Sequence, residues 1–347
     1  IIGFVINGVC SSIEIVRWLH MKTKILKILR NADGFVSGQA ICESLGVSRT
    51  AVWKVINQLK EEGYEFDAVS NKGYRIVNYP DILTKSEIES QLDKNDIIKK
   101  IVFFDETDST NNRAKKAAEE GEESGTLFIT ECQTGGRGRR GKTWESPAGS
   151  GIWMSLLLRP DISPESASML TLVLAVAMVD AINEEVQDAK CYVKWPNDIV
   201  LNNRKISGTL TEMSAEMDSI HYVVIGIGIN VNTTDFDESI KDMATSIYLG
   251  TGKKVKRSNI IAAFSHSFKK YYEAFLKTQD LTYIVDRYNE LLINKGRTVK
   301  AIYANKELVG EALGINKDGE LIIKTEDGCE TAIRAGEVSV RGLYGYV

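Results

Sequence analysis

Histidine is nearly absent from this chain of 347 residues: there are three, beside five cysteines scattered at Cys10, Cys42, Cys132, Cys191 and Cys329. No CxxC pair occurs, so a zinc knuckle or a Cys–His catalytic pair lacks its ligands, and no metal site is expected from protein groups alone. An odd, widely spaced set of thiols does not make a disulfide scaffold, and reduced cysteines fit a cytoplasmic location. Proline is scarce as well, at five, and no low-complexity tract occurs. With 43% hydrophobic and 26% charged residues, the composition excludes a disordered or collagenous chain. Membrane-length apolar runs are missing: the longest, Ala167–Val179, stops at Asp180 after 13 residues, which reads as a buried helix and implies no membrane partner. Residues 1–20 lack an initiating Met, and no basic stretch precedes Ile1–Cys10. That segment is left unassigned, in keeping with upstream translation, and Met21 opens the first well-formed element.

Overall basicity is also missing, since the net charge is −4, but the charge is unevenly placed. Residues 21–78 hold nine Lys and Arg against six Asp and Glu, a net of +3, which leaves −7 on the remainder. A small basic module on an acidic body suggests that one end alone meets a polyanion. At roughly 150 residues per domain the length implies two or three domains, and the patterns below divide the chain into three, 21–80, 81–295 and 296–347.

The first module reads as three helices and a hairpin. Ile25, Leu26, Ile28 and Leu29 form one apolar face. Phe35–Gly38 reads as a turn with an N-cap, followed by a short helix that ends near Gly46. Ser48 caps a third helix whose Ala51/Val52, Val55/Ile56 and Leu59 recur at helical spacing, and Gly63 ends it. Tyr64–Ile76 reads as a hairpin turning at Asn71-Lys72-Gly73. This is the pattern of a winged helix-turn-helix. Arg49, Thr50, Lys54, Asn57 and Lys60 on the third helix would face the major groove, and Lys72 and Arg75 on the wing would meet phosphates. The bland alternative is a helical protein-contact module with a solvated face. Trp53 fits either a groove contact or a ring packed under the wing.

Beyond Tyr79-Pro80 strand patterns alternate with helices at about 110–120 and 166–186, an α+β arrangement of a mixed sheet with helices on one side. The run Gly135-Gly136-Arg137-Gly138-Arg139-Arg140-Gly141 contains GxGxxG, but Lys142-Thr143-Trp144-Glu145-Ser146-Pro147 after it is no helix start, so a dinucleotide loop is rejected. Three arginines among glycines suit an anion that must be enclosed, a phosphate or a carboxylate. Lys194-Trp195-Pro196-Asn197-Asp198 and Arg204-Lys205-Ile206-Ser207-Gly208 flank an Asn202-Asn203 hairpin turn, so they lie on adjacent antiparallel strands. Lys205, Ser207, Thr209 and Thr211 then share one strand face, a polar stripe that faces solvent or lines a ligand site. Gly226-Ile227-Gly228-Ile229-Asn230 ends an apolar strand with two glycines that admit a close neighbour.

In this order, Ser109-Thr110-Asn111, Gln133 with Gly136–Gly141, Lys194–Asp198, Arg204–Gly208 and Gly226–Asn230 resemble the biotin–protein ligases. With a winged helix in front, the chain is similar to the bifunctional members that also repress biotin genes. The resemblance spans 21–347. It implies condensation of biotin with ATP to biotinoyl-5′-AMP, with Mg²⁺, and then transfer to a lysine of a biotin carboxyl carrier protein. It also implies that the adenylate acts as corepressor on operator DNA, bound by a homodimer.

By the same resemblance, Arg137 and Lys205 bracket the biotin carboxylate and α-phosphate, while Arg139 and Arg140 hold the closed loop. Ser109, Thr110, Asn111, Gln133, Gly136 and Gly138, together with backbone from Arg137, hold biotin. Trp144 walls the intermediate, Asn197 stands near the nucleotide, Asn230 reads adenine, and Asp198 helps deprotonate the acceptor lysine. Lys194 is read equally as a structural ion pair. Two departures stand out: Thr209 where relatives are aliphatic, and no Trp in 233–247 to cover the adenine. From Gly296 onward, strands at Thr298–Tyr303, Leu308–Asn316, Leu321–Lys324, Glu330–Ala335 and Val338–Val340 suggest a small SH3-like β-barrel, which the family also carries. The competing readings are a ligase whose winged helix regulates nothing, a regulator that senses the adenylate without ligating, and a lipoate-type ligase of related fold.

Overall fold

The computed structural model describes residues 12–303, 306–335, 339–342 and 346–347. The chain divides into two compact units, Ile1–Gln91 and Leu92–Val347.

In the first unit, α1 (Ser12–Arg30), α2 (Gly38–Leu45) and α3 (Arg49–Glu61) precede the hairpin of β1 (Glu65–Val69) and β2 (Gly73–Asn78), and α4 (Lys85–Gln91) follows. Caps set the helix starts: Ser37 accepts from Ala40 N at 3.1 Å and Ser48 from Ala51 N at 3.2 Å, while Gly46 closes α2 in the left-handed region. Ile25, Leu26, Leu29, Ile41, Val52, Val55, Ile56 and Leu59 form one core with Tyr64. Gly73 has no substitute, because at φ 108° an added Cβ would stand 2.0 Å from Val36 O, where Val36 and Tyr74 exchange hydrogen bonds.

Two features differ from the sequence reading. Helix α1 begins at Ser12, so part of the segment left unassigned is structured; Trp18 packs on the core and donates to Gln58 Oε1 at 2.8 Å. The unit also extends past residue 80. The buried Glu87 carboxylate of α4 accepts from both the Arg30 guanidinium (2.8 Å) and Tyr64 Oη (2.6 Å), which ties α4 to the winged helix.

The second unit is built on a seven-stranded mixed sheet. Its strands are β3 (Lys100–Thr107), β4 (Thr126–Gln133), β5 (Gly151–Leu158), β6 (Cys191–Lys194), β7 (Asp198–Leu201), β8 (Arg204–Ala215) and β9 (Ile220–Asn230), in the order β3-β4-β5-β9-β8-β7-β6. Only β3 and β4 run parallel; every other pair is antiparallel. Asn202 and Asn203 turn the β7–β8 hairpin with φ of 52° and 61°, the conformation for which asparagine is favoured.

Helices cover both faces rather than one. Helix α5 (Thr110–Glu119) packs Ala114 and Ala118 on Phe128, Leu157 and Val224. The apolar α6 (Leu170–Glu185) lies on the opposite face, where Thr171 Oγ1 is 2.7 Å from Thr211 Oγ1. The apolar segment Ser166–Glu185 has the length and composition to cross a membrane, yet 78% of its apolar window is buried inside the fold. It packs against α8 (Arg257–Thr278) and α9 (Val285–Leu291), while α7 (Ile247–Thr251) lies by the β7–β8 turn, where Asn202 Nδ2 donates to Gly250 O at 3.1 Å.

The C-terminal sheet is β10 (Thr298–Tyr303), β11 (Lys306–Ile315), β12 (Leu321–Lys324), β13 (Glu330–Ile333) and β14 (Ser339–Gly342), ordered β13-β12-β11-β10-β14. All its pairings are antiparallel, and no pairing among the described residues closes it into a barrel. The expected strand start at Val338 lies outside the described residues. This sheet belongs to the same unit as the body. Trp195, 1% exposed, donates to Gly319 O at 3.1 Å and so fastens the β6–β7 turn to the β11–β12 turn.

Candidate adenylation cleft and nucleic-acid face

The cleft opens on the α5 face of the sheet, with about 470 Å³ of empty space, open solvent included. Its lining gathers Ser109, Thr110, Asn111, Gln133, Arg137, Gly138, Arg139, Trp144, Asn197 and Lys205, which are separated by up to 96 residues in sequence. Four candidates stand outside the lining: Gly136, Arg140, Asp198 and Asn230.

The floor is a hydrogen-bonded polar lattice. Gln133 Oε1 accepts from Thr110 N at 2.9 Å, the donor that a helix start leaves over, while Gln133 Nε2 donates to Ser146 Oγ at 2.8 Å. Ser109 therefore sits at the N-cap position, 3% exposed, without using its hydroxyl as the cap. The Asn111 amide donates to Glu212 Oε2 at 2.7 Å, and its Oδ1 accepts from Ser155 Oγ at 2.6 Å. Asn111 is thus framework under the cleft rather than a group aimed into it. Ser155, fully buried, was missed in the sequence although it is the one hydroxyl in the apolar run GIWMSLLL.

Two glycines make room for Trp144. Gly208 and Gly228 face each other across β8 and β9. An added Cβ at Gly228 would lie 2.5 Å from Trp144 Nε1, and one at Gly208 would lie 3.0 Å from Lys205 Nζ. The indole lies on this shelf with Lys205 Nζ 5.1 Å from its ring centroid. Its Nε1 is buried without a partner among the described residues, so it retains a donor.

The cations are held at different strengths. Lys205 Nζ is 2.6 Å from Asp198 Oδ1, with the two side chains 25% and 15% exposed. Burial works to raise the Asp198 pKa, but Lys205, Tyr346 and Lys194 outweigh it and hold the carboxylate below its usual range. Arg139 donates to Asn197 Oδ1 at 2.8 Å, while Asn197 Nδ2 donates to Thr209 O at 3.0 Å. Burial lowers the Arg139 pKa against the pull of Asp198. Arg137, 46% exposed, donates to Asn112 Oδ1 and pairs with Glu212 at 3.5 Å. Arg140 is exposed at a left-handed φ of 58°. Asn230 is buried, and its Nδ2 donates to Thr245 O at 3.2 Å, so it fixes the 243–245 segment beside Lys205.

The expected polar stripe on β8 is split. A register shift opposite Ile199/Val200 breaks the alternation. Lys205 faces the cleft, whereas Ser207, Thr209 and Thr211 share the other face: Thr211 bonds across to α6, and Ser207 is buried with no partner for its hydroxyl among the described residues. A further interaction invisible in the sequence is the clamp by Arg257, 2% exposed, which donates to Glu131 Oε2 at 2.8 Å and Gly151 O at 3.1 Å.

In the first unit, Arg49, Thr50, Lys54 and Lys60 are exposed on one side of α3, with Asn57 half-buried among them. Trp53, 56% exposed, shares that side and is not packed under the wing. Arg49 donates to Gln39 Oε1 at 2.8 Å. On the wing Lys72 is exposed, and Arg75 pairs with Asp67 at 2.6 Å.

A helix-turn-helix unit and an α+β body with a cationic glycine loop, carried in one chain, define a ligase class with a DNA-binding-type unit. The sequence matches the Biotin/lipoate A/B protein ligase family over residues 103–230, an HTH domain over 22–75 and the Biotin protein ligase C terminal domain over 296–341. It is 42% identical to the Bifunctional ligase/repressor BirA of Bacillus subtilis, over 85% of this chain and 90% of that one. The Escherichia coli protein of the same name is 32% identical, over 92% and 96%. Among solved structures, the biotin protein ligase of Aquifex aeolicus in complex with biotin and ATP superposes with a TM-score of 0.62 at 30% identity, over 71% of this chain and all of that chain. The chain belongs to the biotin protein ligase family, on the branch of the bifunctional ligase/repressors.

Proposed function

We propose that this protein is an ATP-dependent biotin ligase that also represses transcription in response to biotin. The observation that carries the ligase reading is the convergence of Arg137, Arg139 and Lys205 on one cleft above a floor of amide and hydroxyl groups. The biotin carboxylate attacks the α-phosphorus of ATP, the bond to the β-phosphate oxygen breaks, and pyrophosphate leaves. Two anions must then be held together while charge builds on phosphoryl oxygens, which fixed cations and N–H donors stabilise.

Lys205 and Arg137 meet the carboxylate and α-phosphate, and Arg139 and Arg140 hold the glycine loop closed. Ser109, Thr110 and Gln133, with the Gly136 and Gly138 backbone, receive the ureido ring over Asn111. Trp144 covers the intermediate, and Asn230 shapes the adenine side through residue 245. In the second step the acceptor amine attacks the acyl carbon, AMP leaves, and the amine loses a proton. Asp198 receives or relays that proton only as it releases Lys205, because its pKa is held low.

No group of three or more His, Cys, Asp or Glu side chains among the described residues is placed to hold an ion. Magnesium enters as part of the substrate, MgATP, held chiefly by the phosphates. A biotin carboxyl carrier protein is the acceptor, the cytoplasm is the setting, and the C-terminal five strands are read as an SH3-like barrel. Operator DNA meets α3 and the wing, and a homodimer matches a two-fold operator.

Labelled biotin should pass to a carrier-protein domain with the unmodified chain and not with Lys205→Ala. Transfer by that variant at the normal rate would overturn the site assignment. A biotin-dependent shift of operator DNA should vanish when residues 12–91 are removed, and its absence in the full chain would remove the repressor half.

A further inference from the structure

The two oxygens of Asp198 have separate partners. Oδ1 faces Lys205 Nζ at 2.6 Å, and Oδ2 accepts from the phenol of Tyr346, a residue 148 positions away. The ring of the same tyrosine lies under a second cation: Lys194 Nζ is 3.6 Å from its centroid and the residue is 5% exposed. Lys194 is thus a buried ammonium beside the carboxylate that holds Lys205. A buried charge without a partner costs more than one with a partner, so Lys194 competes for Asp198 unless something else satisfies it. The Tyr346 ring does so through its π-face, while its hydroxyl takes the Asp198 oxygen that Lys205 does not use.

We propose that Tyr346 is a positioning residue for Lys205, acting through Asp198: its ring satisfies Lys194, its hydroxyl fixes the carboxylate, and Oδ1 stays turned to Lys205. This rests on the ligase reading above. It links Tyr346 through Asp198 to the lysine that lines the cleft. The other titratable groups that face Asp198 are Lys194, Arg139 and the buried Tyr288, whose hydroxyl has no partner among the described residues.

Biotin-dependent pyrophosphate exchange by the full chain tests the proposal. Tyr346→Phe keeps the ring and loses the hydroxyl; it should lower kcat about tenfold while the KM values for biotin and ATP stay within about twofold. Its acid limb should move to higher pH, because Asp198 loses a donor that keeps it ionised. Tyr346→Leu, which also frees Lys194, should be slower still. On an Asp198→Asn background, Tyr346→Phe should change nothing. A normal kcat for Tyr346→Phe, a loss confined to KM, or the same fold-loss on both backgrounds would overturn the proposal. If Tyr346→Leu fails to fold, the Tyr346→Phe result and the paired background decide alone. An unmodified chain that performs no exchange would remove the ligase reading and this proposal with it, whereas a working chain with an indifferent Tyr346→Phe removes the proposal only.

Discussion

The cleft and the face of α3 are both cationic, but their charges stand in different surroundings. In the cleft, Lys205, Arg139 and Arg137 each lie against Asp198, Asn197 or Glu212, and Lys205 and Arg139 are partly withdrawn from water. On the winged helix, Lys54, Lys60 and Lys72 are exposed, and Arg49 donates to a neutral glutamine, Gln39. The first arrangement suits a small anion that must be oriented: donors are already placed, and little reorganisation is left for the moment of reaction. The second suits a long polyanion, which displaces counterions from solvated side chains and tolerates their freedom.

The largest consequence is in salt dependence. Between roughly 50 and 200 mM salt, operator affinity should fall by about a thousandfold if six or so phosphate contacts form. Adenylation should change by only about twofold, since partly buried charges are screened less. Filter binding and pyrophosphate exchange on one preparation check this, and a parallel fall of both would erase the distinction.

Next in size is Gly228→Val, which forces a side chain into the Trp144 indole and should displace that ring and slow adenylation by about tenfold or more. Tryptophan emission and exchange rate read the two effects. Lys54→Ala should act on the other side of the comparison: operator affinity weakens several-fold and the salt slope drops by about one, with biotin transfer unchanged.

The smallest effect concerns Lys194. Burial lowers its pKa to about 8, partly opposed by Asp198. Above that pH the folded chain has released a proton that the unfolded chain keeps up to its ordinary lysine pKa. This group therefore destabilises the fold below pH 8, and its penalty fades as pH rises toward 10. Lys194→Met should flatten that rise in denaturation midpoints measured from pH 7 to 10.

Much of this was legible in the sequence, for physical reasons that also mark where legibility ended. Local chemistry carried the winged helix: Ser48 caps, Gly63 stops, and Asn71 and Gly73 take the positive φ of the wing turn. Strand alternation and the Asn202-Asn203 turn likewise carried β7 and β8. Alternation failed on β8 beyond Lys205, because a register shift sends Thr211 to α6. Pairings across long stretches of chain left no local trace. Arg257 reaches Glu131 over 126 residues and Tyr346 reaches Asp198 over 148, and neither belongs to a motif. Helix α8 was not read, although it supports α6 and supplies that arginine. Asn230 sits in a recognisable run, yet its side chain points to Thr245 rather than into the cleft, which spacing cannot show.

The most direct test is formation of the mixed anhydride itself. Incubated with α-labelled ATP and biotin, the unmodified protein should accumulate biotinoyl-5′-AMP in a one-to-one ratio with protein. Lys205→Ala should form almost none, and lipoate should not replace biotin. An adenylate that appears equally in Lys205→Ala, or that forms with lipoate and not with biotin, would contradict the account.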